Sequence, residues 1–82
     1  MTGVCWALLS AHARTLPPGP DRRKVEAACR AGAPSRMGQR VARTACELGG
    51  FLGEDGQLTP AGQAGAARFL ALRGLPLPRG TQ

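Results

Sequence analysis

Residues 35–50 read SRMGQRVARTACELGG, and the fold turns on how this stretch divides into faces. Ser35 is a capping residue, and the Gly49-Gly50 pair is a stop, since glycine reaches the left-handed conformation that closes a helix. Between them Met37, Val41, Ala45 and Leu48 recur at spacings of four, four and three, which predicts a narrow buried seam. Arg36, Gln39, Arg40 and Arg43 fall on the other side. The expectation is a helix with its apolar side on a core and its basic side in solvent.

Working back from this helix, Gly32-Ala33-Pro34 is a short break, and a second helix is expected from an Asp21 cap to about Ala31. Val25, Ala28 and Cys29 would be its buried stripe. Glu26 and Arg30 sit four apart, as an ion pair on one helix face would. Arg22, Arg23 and Lys24 occupy its first turn, where the helix dipole disfavours cations. Either an anion such as phosphate is held there, or the cost is tolerated on a wet surface. Pro17-Pro18-Gly19-Pro20 ends a first helix of about residues 2–16. In that helix Val4, Leu8 and Ala11, joined by Cys5, Leu9 and His12, form a wide apolar face. Trp6 falls on the other side, as a partner contact or as a cap on the core.

Working forward, Phe51-Leu52 and Gln57-Leu58-Thr59 flank Gly53-Glu54-Asp55-Gly56, and an Asp-Gly pair between short apolar runs signals a β-hairpin. Thr59 then caps a fourth helix with Pro60 at its first position. Ala61, Ala66, Phe69, Leu70 and Leu72 are its expected buried side, and Gly74 ends it. The expected organisation is one domain over residues 1–74 and a flexible tail over 75–82.

The chain has 82 residues, aromatic content of 4% and a formal net charge of +6. So small a domain buries a modest share of its surface, and with three aromatic side chains its core must be built from Leu, Val, Met and Ala. Helices suit that composition better than sheets. Positive charge attracts polyanions. Ten of the eleven basic residues are arginine, which the bias of a G+C-rich genome also produces. Seven of the eleven nevertheless lie between Arg22 and Arg43, opposed within that span only by Glu26.

Cys5, Cys29 and Cys46 form no Cys-x-x-Cys pair, and His12 is the single histidine, so the spacing of an ordinary zinc site is missing. Buried thiols in a reducing compartment are the expectation, with no metal and no cofactor. A nucleophile pair of Cys5 and His12 lacks an orienting third group, and the five acids are scattered; the reading is not an enzyme. The apolar start, Val4–Leu9, is too short for a bilayer span and lacks a signal peptide's basic beginning. The expectation is a cytoplasmic protein with no membrane partner.

The stretch from Gly50 to Gly62, with its Gly53-Glu54-Asp55-Gly56 turn and the Leu58-Thr59-Pro60-Ala61-Gly62 run behind it, resembles the wing and following helix of winged-helix regulators of the MarR and PadR kind. The resemblance covers about residues 21–72. It departs from those families in its acidic turn and in having no long dimerisation helix. It implies a mostly α, α+β fold: a winged helix-turn-helix of four helices with a short hairpin between the third and fourth. It also implies a transcriptional regulator that reads the major groove of duplex DNA with residues 35–48. Arg36, Gln39, Arg40 and Arg43 would meet bases and phosphates, and Arg22, Arg23 and Lys24 would hold phosphates at a helix N-terminus. Tight binding would call for a homodimer or a companion through Trp6 or Phe69. The competing reading is a protein-interaction module on the same scaffold, either a phage-type inhibitor such as an anti-CRISPR or an adaptor.

Overall fold

The computed structural model describes residues 1–78, so the last four residues of the expected tail lie outside it. Four helices follow one another: α1 (Gly3–Thr15), α2 (Pro20–Ala31), α3 (Arg36–Leu48) and α4 (Pro60–Leu72). Their starts are local. The Thr2 hydroxyl accepts from Cys5 N–H at 3.1 Å, Ser35 from Gly38 N–H at 3.2 Å and Thr59 from Gly62 N–H at 3.1 Å, each using a donor the first turn leaves free. The second helix differs from expectation. It begins at Pro20 behind Gly19, and Asp21 lies inside its first turn.

Helix α1 is apolar on nearly every side, and Cys5 to Leu9 and Ala11 to Ala13 are all buried. Such a helix is stable only when covered all round. Helices α2, α3 and α4 each pack on it and, among the described residues, not on one another. Small residues set the spacing: a methyl group on Gly3 would stand 3.1 Å from the Ala42 side chain of α3, and one on Gly65 would stand 3.1 Å from Leu8 Cδ1. Leu8, Leu9, Val25, Cys46 and Leu70 are the fully buried centre.

This arrangement overturns the winged helix-turn-helix. A helix-turn-helix needs its second and third helices in contact, and here each spends its buried stripe on α1. The wing is not formed either. The connection Gly49–Thr59 has the expected turn, with Gly53 N–H donating to Gln57 O at 2.8 Å and Gly56 in a left-handed conformation at φ 78°. Yet it carries a single antiparallel bridge, Leu52 to Leu58, and no strand. Two residues a side are too few for a ladder. The flanking groups serve the helix ends instead: Phe51 and Leu52 N–H both return to Cys46 O, closing α3, while the Thr59 hydroxyl donates to Gly50 O.

The seam expected on α3 is not the buried one either. Ala42 and Cys46 face α1, whereas Met37 is 77%, Val41 62% and Leu48 85% exposed. On α4, Ala66 and Leu70 are buried and Phe69 is half-buried, but Ala61 and Leu72 face solvent.

Candidate functional site

A groove of about 380 Å³ runs between α2 and α3 over one side of α1. Trp6, Ser10 and Arg14 recur every four residues along α1, which puts them in one row on its floor. Helix α2 contributes Glu26, Cys29 and Arg30, and α3 contributes Gln39 and Arg43. Arginines from three different helices thus meet at one place. Arg23 precedes Arg30 by seven residues, as Arg36 precedes Arg43, so each pair shares one side of its helix. Arg23 and Arg36 thus continue the two arginine lines beyond the residues that line the groove, while Glu26 stands on the α2 wall itself. Arg40 lies just outside the Arg36–Arg43 line.

The site residues expected from sequence do not all serve this groove. Trp6 is not a partner contact: it is 6% exposed, and the Arg43 guanidinium lies over its ring at 5.0 Å from the centroid. That contact holds Arg43 over the floor by cation–π attraction. Gln39 does not face solvent. It is half-buried, and its Nε2 donates to Pro34 O at 3.1 Å, closing the α2–α3 turn. Arg22 is drawn back over the protein, with Nη1 donating to Leu16 O at 3.2 Å and Nε meeting Glu26 Oε2 at 3.4 Å. The expected Glu26–Arg30 pair is thus replaced by Arg22–Glu26, which leaves Arg30 available. Arg23, Lys24, Arg36 and Arg40 are exposed. Phe69 sits half-buried beside Met1, Cys5 and Leu72 on a different side of α1.

Arg14 was not legible as a site residue from its segment alone, although its four- and eight-residue spacing from Ser10 and Trp6 was the available signal. Its Nη2 donates to Gly56 O at 3.3 Å, so the turn of residues 53–56 fixes the arginine at the groove's edge. Beyond Arg14 and Arg43 a second hollow of about 330 Å³ contains Glu47 and Asp55, which bounds the basic region at that end. All three cysteines are buried and free. Burial pushes the Cys29 and Cys46 thiols above their ordinary pKa, so both stay protonated at neutral pH.

Compared with protein-family models, curated proteins and solved structures, the chain matches none. No helix among the described residues is long and apolar enough to cross a membrane.

Proposed function

We propose that the chain is a non-catalytic nucleic-acid-binding protein that holds the phosphate backbone of duplex DNA along the α2–α3 groove. One observation carries the reading: arginines of α1, α2 and α3 converge on a single groove, where the carboxylate of Glu26 is already engaged by Arg22. A G+C-rich composition raises the number of arginines without making them converge. Guanidinium groups suit phosphate because they present paired donors and give up their hydration readily.

The contacts differ from those of a recognition helix. The outermost line of α3 is apolar and Gln39 is committed to Pro34, so base reading by α3 has little support. Arg14, Arg23, Arg30, Arg36 and Arg43 supply backbone contacts, which position a duplex without reading sequence. Binding is accordingly sequence-tolerant and driven by counterion release.

The test is titration of the chain into a labelled random-sequence duplex at two salt concentrations. Five phosphate contacts correspond to a slope of log affinity against log salt of about −4.5. Arg30→Ala with Arg36→Ala, two exposed side chains, should weaken binding by about tenfold or more and make that slope shallower by about two. Affinity that ignores salt, or that survives the double substitution unchanged, would refute the reading.

A further inference from the structure

The α3 side facing away from α1 goes beyond this reading. Met37, Val41 and Leu48, with Thr44 between the last two, follow one another at spacings of four, three and four. That is the repeat by which one helix receives the side chains of another. The three large side chains are 77%, 62% and 85% exposed. Covering such side chains is favourable, and together they form one continuous apolar stripe. It spans about 16 Å along the helix, three turns. One border is basic: Arg36 and Arg40 lie along it, with Glu47 at its end.

We infer that this face docks an amphipathic helix of a partner protein whose own border is acidic. Charge selects this occupant over the others. A second copy would bring the same net-positive border of Arg36, Arg40 and Glu47, on a chain that already carries +6. A duplex gains nothing from methionine, valine and leucine at the contact line. A lipid surface suits a basic border, but a stripe of three large apolar side chains buries little area in it. An acidic border opposite Arg36 and Arg40 satisfies both guanidinium groups while the stripe is covered.

The experiment uses the full chain and two synthetic three-heptad peptides with leucine at both seam positions, one bordered by glutamate and one by lysine. Binding is read by fluorescence anisotropy, and self-association by sedimentation. The glutamate peptide should bind at micromolar concentration, and the lysine peptide about tenfold or more weaker. Val41→Ser with Leu48→Ser keeps the net charge and should lose about tenfold for the glutamate peptide. Circular dichroism checks that this variant folds, and Met37→Gln alone should move in the same direction. Arg36→Gln with Arg40→Gln should erase most of the preference between the peptides. Equal binding of the glutamate peptide to the serine variant would overturn the inference, because charge alone would then suffice. A dimer of the unmodified chain that the serine substitutions convert to monomer would overturn it as well, by making the second copy the occupant. So would failure of the glutamate peptide to bind while anionic vesicles do.

Discussion

Helices α1 and α3 are both 13 residues long and pack against each other, yet they distribute their apolar side chains in opposite ways. Helix α1 is apolar nearly all round and buried nearly all round. Helix α3 divides into an apolar and a basic side; the apolar side does not lie against α1, and the basic side reaches it through Arg43 over Trp6. Otherwise what touches α1 is the strip between them, where Ala42 and Cys46 sit. Amphipathicity therefore identifies two unlike sides of α3 without saying which is inside. Close approach decides: α1 needs cover on three sides, and a strip of small residues brings the α3 backbone nearer than Met37 and Leu48 would allow.

The largest effect should come from the α1 centre. Leu9 is fully buried, so Leu9→Ala should lower unfolding free energy by about 2–5 kcal/mol, enough to unfold much of so small a domain. A loss below about 1 kcal/mol in urea melts would mean that α1 is not the common core. Next is the α1–α3 approach. Ala42→Leu forces a larger side chain into the space opposite Gly3, where a methyl would already stand 3.1 Å away, and should cost about 1–3 kcal/mol. If α3 instead turned Val41 inward, the same substitution would be surface chemistry and nearly silent.

His12 gives a smaller, pH-dependent effect. It is 6% exposed, its Nε2 has no hydrogen-bond partner among the described residues, and burial lowers its pKa below the ordinary 6.5. The unfolded chain then takes up the proton more readily than the folded one. The histidine's contribution is thus fully present above pH 6.5 and declines as pH falls through 6.5 toward the lowered folded value. Thermal melts between pH 7.5 and 5.5 should show this decline, and His12→Leu should flatten it. A slope unaffected by that substitution would place the proton elsewhere. The smallest effect belongs to the outward stripe. Leu48→Ser should change stability by no more than about 0.5 kcal/mol, against the several expected for a core leucine.

Helix existence was legible because its signals are local. Ser35 and Thr59-Pro60 cap where they were expected to, Pro17-Pro18 end α1, and the glycine pair after Leu48 closes α3. The turn at Asp55-Gly56 was legible as a turn, but whether strands extend from it depends on residues to pair, and two a side do not suffice. The four helices therefore stand, while the α+β class and the winged architecture do not. The orientation of α3 was hidden for a related reason. Periodicity carries no sign, and taking the side with the larger apolar residues as the buried one chose wrongly. The groove was hidden because no single segment contains it: Arg14, Arg30 and Arg43 are far apart in sequence and meet only once α1 is placed between α2 and α3. Arg22 and Glu26 are four residues apart, but so are Glu26 and Arg30, and the Leu16 carbonyl that draws Arg22 away belongs to the preceding connection.

The orientation of α3 underlies both the basic groove and the outward stripe, and thiol labelling reads it directly. Cys46 is 1% exposed and shares the inward strip with Ala42, while Val41 lies toward the opposite side. With a thiol reagent under native conditions, the unmodified chain should react slowly at every cysteine, as buried groups accessible only through opening do. Val41→Cys should add one site that reacts at least about a hundredfold faster. Fast labelling of Cys46 together with protection of the new cysteine would mean that α3 is turned the other way, and both the groove and the docking face would fall with it.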